Sequence, residues 1–364
     1  MERDVWRMPR AGSLGRLRLE REALPPPSVG EASVEVSAVG LNFADVFACL
    51  GLYSATPKGP FVPGLEFSGV VRDVGPPVAA GAPVAAALGP SDQVVGVVRF
   101  GAYATVLNAD VRYLRPLPEG WSFTEGAAFP VQALTAWHGL HVLGGLLPGL
   151  SVLVHSAAGG VGLNALHIAF SRRARLVAAV GSESKKAFLL GRFDLKPDAV
   201  VVRDRRRFGD QLDRALRAID ADGFDVVLDG VAGPYFHPAL RRLRPGGRLI
   251  LFGAADMTPL GSKPNYAKLA WQYLRRPKVD ALRLANRNRA VMGFNLIWLW
   301  DRAADLAREY EEVSAVITAP PFVGRTFPFA DAPAALGFLQ SGESTGKVVL
   351  EVGSAAERPP PLRP

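Results

Sequence analysis

Residues 151–170 read SVLVHSAAGGVGLNALHIAF: an apolar run, a stretch of small residues, then a second run with helical spacing. Small side chains at Ala157, Ala158, Gly159, Gly160 and Gly162 allow a tight turn and let backbone come close to a ligand. Gly162 also lets a helix pack tightly on the preceding strand. A helix opening through Val161 presents free N–H groups and the positive end of its dipole, which favour an anion. The pattern is G-x-G-x-x-G with Ala157 in the first place. Between a strand and a helix it is a pyrophosphate turn for a dinucleotide; out of that context a plain glycine-rich turn carries the same letters.

The next strand ends at Val180–Gly181, followed by Ser182, Glu183, Ser184 and Lys185; the third ends at Arg203. A site built for NADH places an acid about 20 residues beyond the glycines, on the ribose 2′-hydroxyl. No Asp or Glu stands at this strand tip. Hydroxyls and fixed cations suit a 2′-phosphate, and a missing acid removes a repulsion. These residues therefore favour NADPH. Glu183 runs against that reading, and Lys185 and Arg203 as plain solvated cations remain the competing one.

Metal chemistry lacks its ligands. There is one cysteine, Cys49, so neither a four-cysteine site nor an internal disulfide can form. The five histidines, 138, 141, 155, 167 and 237, all fall in the nucleotide-binding part, within 126–317. Leu65 precedes Glu66 and offers no lone pair to a metal. His138 and His141 are read as packing or surface residues. No Cys–His or Ser–His–Asp arrangement can be assigned, so a bound cofactor would have to carry the chemistry.

The elements that position these residues alternate. Strands are expected at 151–155, 176–180, 199–202, 225–228, 248–252 and 291–296, with helices at 161–171, 184–191, 208–219, 235–243 and 301–317. That order predicts a doubly wound parallel sheet. Before it, 1–125 read as strands and turns (32–39, 63–71, 93–98 and 102–106), with a helical stretch at 41–50 and a Pro- and Ala-rich loop at 75–91. Helices are expected near 122–128 and at 134–143. Strands return at 324–327 and 347–352 around a helix at 332–340. The expected domains are 1–125 with 318–354, and 126–317, leaving 355–364 as a tail. A chain of 364 residues fits two such domains.

Composition narrows the class. The chain is 49% hydrophobic and 21% charged, which is globular. Net charge is +8, and 34 of the 42 basic residues are arginine. The arginine clusters are scattered and lack aromatic interleaving, so nucleic-acid binding is disfavoured. The uncharged stretch 126–171 is broken by Pro130, Pro148 and several glycines, which argues against a membrane span. The charged N-terminus lacks the apolar core of a signal peptide, and a cytoplasmic location is expected.

The segments GLNFADV (40–46), GLY (51–53), PGLEFSGVV (63–71), LTAWHGL (134–140), HSAAGGVGL (155–163), DVVLDGVAG (225–233), GGRLILFG (246–253) and GKVVLEV (346–352) resemble the quinone oxidoreductase branch of the zinc-free medium-chain dehydrogenase/reductases. They occur in that family's order and cover nearly the whole chain. Residues 264–299 are more specifically similar to vesicle amine transport protein homologues of the same branch. The resemblance implies an α/β protein: a GroES-like β-barrel domain, completed by the C-terminal strands, beside a Rossmann domain, with cofactor in the cleft.

Carried over by residue, the resemblance puts Asn42 and Thr135 at the nicotinamide and Tyr53 at the substrate cleft. It puts Ala158, Gly159, Gly160, Val161 and Gly162 at the pyrophosphate. Gly181, Ser182, Lys185 and Arg203 fall at the 2′-phosphate, Arg203 standing where many relatives have tyrosine. Asp229, Phe252, Gly253, Asn295 and Lys347 fall along the remaining cofactor contacts. Phe47 replaces a tyrosine found in some relatives, and 76–92 match poorly. The implied reaction is NADPH-dependent hydride transfer to a quinone or an enone, with Tyr53 and Asn42 as donors to the developing oxyanion; a structural turn role for Tyr53 stands beside this. A homodimer through strand 291–296 is implied. An NADPH-binding interaction protein at a membrane surface, a nucleic-acid binder and a zinc alcohol dehydrogenase are the other readings.

Overall fold

The computed structural model describes residues 1–77 and 88–353. Most of the expected 75–91 loop and the 355–364 tail lie outside them.

The chain opens with β1 (Glu2–Arg7) and β2 (Arg18–Ala23), an antiparallel pair. Then come β3 (Glu31–Gly40), α1 (Phe43–Cys49), β4 (Glu66–Val74), β5 (Gln93–Val97), β6 (Val106–Asp110) and β7 (Leu114–Pro116). Two helices follow, α2 (Phe123–Ala127) and α3 (Pro130–Trp137), the second continuing as a π-turn over His138–Leu143. The alternating region holds β8 (Ser151–His155), α4 (Gly160–Ser171), β9 (Arg175–Val180), α5 (Glu183–Arg192), β10 (Val200–Val202), α6 (Phe208–Ala218), β11 (Phe224–Asp229), α7 (Phe236–Arg241) and β12 (Leu243–Leu251). After it lie α8 (Tyr266–Leu274), α9 (Ala281–Ala285), β13 (Ala290–Gly293) and α10 (Ala303–Val316). The last elements are β14 (Val323–Pro328), α11 (Ala332–Ser341) and β15 (Lys347–Glu351).

Six strands form one parallel sheet in the order β10-β9-β8-β11-β12-β13. Its central strand β8 is buried throughout, as a parallel strand covered on both faces must be. Val152 and Val154 enter one apolar cluster and Leu153 the other, so alternate side chains fill the layers above and below. Each such side chain contributes about 1.5–3 kcal/mol of transfer free energy. The winding reverses beside β8, and there the crevice for a ligand opens. The second sheet runs β14-β15-β3-β4-β5-β7, with β6 on β3. The C-terminal strand β15 is antiparallel to β3, so the last residues complete the sheet begun by the first third of the chain.

Several expectations shift. The β1–β2 pair was not anticipated, because its sequence is charged at nearly every other position. Ion pairs hold it: Arg3 with Glu22, Arg7 with Glu20 and Glu22, Arg21 with Asp4. The strand expected at 102–106 begins only at Val106. Ala102–Thr105 instead send backbone bonds to β1, Trp6 N to Tyr103 O at 2.9 Å and Thr105 N to Asp4 O at 2.9 Å. The sixth strand stops at Gly293, because its partner β12 ends at Leu251. The chain then turns into the crevice. The long connection at 255–289 contains α8 and α9, neither with a buried residue. No helix of the described residues is long and apolar enough to cross a membrane.

Candidate functional site

A cleft of about 640 Å³ lies between the two sheets. Leu41, Phe43, Phe47 and Leu52 give it an apolar wall on the α1 side, and the glycine turn, Phe252 and Gly253 form the wall opposite. The structure brings Asn42, Tyr53, Thr135, Gly159, Gly160, Val161, Gly162, Phe252, Gly253 and Asn295 together on this surface.

The glycine turn has the shape its sequence requires. Ser156 adopts a φ of 50°, turning the chain sharply out of β8. A Cβ on Gly162 would lie 2.3 Å from the Ser156 carbonyl, so the helix sits against the strand as only glycine permits. Ala158 is buried behind the turn; its carbonyl accepts from Gly346 N at 2.8 Å, tying the turn to the loop before β15. His155 lines the cleft with both ring nitrogens unpartnered. Burial lowers its pKa to about 4, against the pull of Asp229, so the ring is neutral at pH 7.

At the end of β9, Ser182 accepts from Lys185 N and opens α5. The Arg203 guanidinium lies over Gly181, where a Cβ would be 3.5 Å from Nη2, and donates to Ser156 Oγ at 3.5 Å. It stacks on Tyr235 at 5.4 Å. Lys185 Nζ donates to Gly342 O at 2.6 Å. Burial is the first cause lowering the pKa of both cations, and for Lys185 the neighbouring Arg203 is the second. Lys185 and Arg203 thus put two positive charges at the end of β9 and beside the glycine turn, the charge that a phosphate dianion requires.

Other expected contacts fall elsewhere. Asp229 is fully buried; its Oδ1 accepts from Val231 N at 2.8 Å and Ala232 N at 2.9 Å, shaping the turn after β11. Its neighbour Gly230 reaches the cleft instead. Lys347 is 1% exposed and lies behind the wall. Its Nζ donates to Glu66 Oε1 at 2.5 Å and to Asn42 Oδ1 at 2.9 Å. Asn42 Nδ2 donates to Glu66 Oε1 at 2.8 Å and to Gly40 O at 3.3 Å. The amide that was expected to face a substrate oxygen therefore has both hydrogens engaged inside the protein. Thr135 Oγ1 likewise donates to Val131 O at 2.6 Å. Tyr53 OH donates to Asn295 Oδ1 at 2.8 Å, and burial pushes its pKa up to about 12.

Glu66 and Asp45 were not anticipated as parts of this site. Glu66 Oε2 accepts from Val131 N at 2.8 Å, pinning α3. Asp45 is buried, accepts from Asn42 N at 2.8 Å, and has Oδ1 unpartnered. The available signal was an acid inside otherwise apolar text, Glu66 in GLEFSGVV and Asp45 in FADVFA. Among the described residues, no group of three or more His, Cys, Asp or Glu gathers as a metal site. His138 pairs with Glu309 at 3.0 Å, both buried, and His141 stacks on Trp137.

Known proteins bear on this geometry. Residues 28–119 match the Alcohol dehydrogenase GroES-like domain family, and residues 195–350 match the family described as Zinc-binding dehydrogenase. The synaptic vesicle membrane protein VAT-1 homolog-like of Mus musculus is 31% identical over 353 residues, 94% of this chain and 79% of that protein. A mycobacterial protein complexed with NADPH superposes with a TM-score of 0.79 at 28% identity, covering 96% of this chain and 100% of that one. The quinone oxidoreductase of Thermus thermophilus, solved alone and with NADPH, gives a TM-score of 0.72 at 32% identity over 96% and 100%. By its two sheets, its glycine turn and these relatives, the chain belongs to the medium-chain dehydrogenase/reductase superfamily.

Proposed function

We propose that this protein is an NADPH-dependent, zinc-independent reductase that passes hydride to a quinone or an α,β-unsaturated carbonyl. The observation that carries the cofactor half is the Lys185–Arg203 pair beside the glycine turn. Ser156 Oγ and the free N–H groups of α4 fit a pyrophosphate, and the two cations fit a 2′-phosphate. NADPH, when bound, supplies the hydride. Gly181 and Ser182 give it room at the ribose, and Thr135, Phe252, Gly253 and Asn295 border its nicotinamide end. The apolar wall at Leu41, Phe43 and Phe47 suits a flat conjugated acceptor and excludes water from it. Tyr53 and Asn295 supply the polar contacts beside that wall, and Asn42 with Lys347 and Glu66 braces it. Asp229 shapes the turn below.

Zinc fits poorly. Glu66 has its oxygens committed to Lys347, Asn42 and Val131, and Cys49 lies fully buried in the apolar core. The relative crystallised with NADPH and called a quinone oxidoreductase supports the acceptor class. The exposed edge position of β13 supports a homodimer paired along it.

The test is loss of reduced-nicotinamide absorbance on a panel of quinones and enones, with chelator present. Chelator-insensitive NADPH oxidation is expected; a metal requirement would end the zinc-independent reading. A second reading, an NADPH-binding interaction protein at an anionic membrane, draws on α8 and α9, where Tyr266, Trp271, Tyr273 and Leu282 are exposed among lysines and arginines. NADPH binding without turnover on the panel, together with sedimentation on phosphatidylserine vesicles, would favour it.

A further inference from the structure

Asn295 stands at the N-cap of a short 3-10 turn, Leu296–Leu299. Asparagine there ordinarily turns its side-chain oxygen onto the backbone N–H groups of the turn. Here it makes no such bond. Its Oδ1 accepts the Tyr53 hydroxyl instead, at 2.8 Å. In this arrangement the tyrosine hydroxyl is the donor and the amide oxygen the acceptor. Among the described residues Nδ2 has no protein acceptor, and the side chain lines the cleft.

Two other expected polar groups of the wall, Asn42 and Thr135, are committed inside the protein. Both hydrogens of the Asn42 amide go to Glu66 and Gly40, and the Thr135 hydroxyl goes to Val131. Gln132 also lines the cleft, its Oε1 unpartnered, but its amide lies against Gly160 of the glycine turn, whereas Asn295 lies against Tyr53. Ser54 Oγ accepts from Trp298, a half-exposed side chain at the cleft rim. An amide with its acceptor occupied and its donor free, in an apolar wall, recognises oxygen that is carbonyl-like or anionic.

We propose that Asn295 Nδ2 is the hydrogen-bond donor to the acceptor oxygen that becomes negative during reduction, and that Tyr53 is a positioning residue that holds the amide in the donating orientation. This rests on the reductase reading above. The electrons balance without a further reagent. Hydride leaves the reduced nicotinamide for the acceptor, an electron pair moves onto the conjugated oxygen, and a proton from water neutralises it. Asn295 and Tyr53 keep their own protons throughout; burial of Tyr53 holds its proton firmly.

The test uses 4-nitrophenolate, which has the charge and shape of a hydroquinone monoanion, titrated by absorbance into wild type, N295D, N295A and Y53F at saturating NADP⁺. N295D is nearly isosteric and keeps an acceptor for Tyr53, yet it replaces the free donor by a carboxylate. The expected loss in phenolate affinity is on the order of 100-fold for N295D. Y53F should lose roughly tenfold, and nothing further when combined with N295A. N295A carries the comparison if N295D does not fold. Failure of wild type to bind the phenolate overturns the proposal, as does N295D or N295A within twofold of wild type. An equal loss from Y53F in both backgrounds would make Tyr53 the direct donor and also overturn it. Asn295-dependent phenolate binding without turnover on the quinone and enone panel sinks the reductase reading alone; turnover that N295D leaves unchanged sinks this inference alone.

Discussion

Lys347 and Glu66, 281 residues apart in the chain, meet at 2.5 Å with side chains 1% and 0% exposed. Each comes from a strand of the second sheet, and Gly40 between them leaves the space: a Cβ there would lie 2.9 Å from both side chains. The pair joins the last strand to the wall of the cleft, and through Asn42 and Val131 it sets the positions of α1 and α3.

Breaking that pair should therefore be costly. Lys347→Met leaves the buried Glu66 carboxyl without its cation, and about 3–5 kcal/mol of unfolding free energy should be lost. The double variant Glu66→Gln/Lys347→Met should recover most of it, because no charge is left unpaired. Urea unfolding of the three proteins checks this; a single variant as stable as wild type would mean that the pair is dispensable.

Asp45 makes stability depend on pH. Burial, its largest influence, raises its pKa to about 7, against the lowering effect of the Asn42 N–H and of Lys347. The folded state then binds the proton more tightly than the unfolded chain, whose value is about 3.9. The stabilisation is fully present below pH 4 and is lost as pH rises through 7. Asp45→Asn should remove that decline between pH 4 and 7 and be more stable than wild type at pH 8. Melting curves across this range would contradict the account if the two proteins kept parallel profiles.

The glycine turn makes a graded prediction. Gly162→Ala puts a methyl 2.3 Å from the Ser156 carbonyl and 2.6 Å from Ala157 backbone, which cannot rotate away. It should cost about 1–3 kcal/mol and displace the helix start from the ligand. At Gly159 the nearest atom is 3.3 Å distant, so Gly159→Ala should fold almost normally and chiefly weaken cofactor binding. Thermal melts with and without NADPH would separate the two; equal destabilisation would count against it.

Lys185→Ala and Arg203→Ala should each weaken NADPH by roughly 10–100-fold, as expected for a charge-assisted contact to phosphate. NADH, which lacks that phosphate, should change less than about threefold. Fluorescence titration reads both. Equal losses for the two nucleotides would reduce these cations to structural roles, Lys185 tethering Gly342 and Arg203 packing on Tyr235.

Local rules made much of this legible. The alternation of β8 through β12 and the small residues at 157–162 are periodic and contiguous, so the parallel sheet and its turn could be read directly. That no acid stands at the tip of β9, Val180–Gly181, was equally visible, with Glu183 two residues on as the objection. What stayed hidden depends on pairing across the chain. Lys347 and Asp229 sit in motifs that pointed to the cofactor, yet their partners, Glu66 and the Val231 and Ala232 amides, draw them behind the wall. Asn42 reached the cleft, but only the fold reveals that its amide hydrogens are already engaged. The β1–β2 pair lacks an apolar alternation, and cross-strand ion pairs hold it instead.

The central claim is that the cleft holds NADPH, selected by its 2′-phosphate. The most direct measurement is the dissociation constant of NADPH beside that of NADH, by quenching of intrinsic fluorescence, on one preparation at one ionic strength. Tighter binding of NADPH by at least about tenfold, with the gap narrowing as salt rises, is the predicted result. Equal affinities, or a preference for NADH, would contradict it.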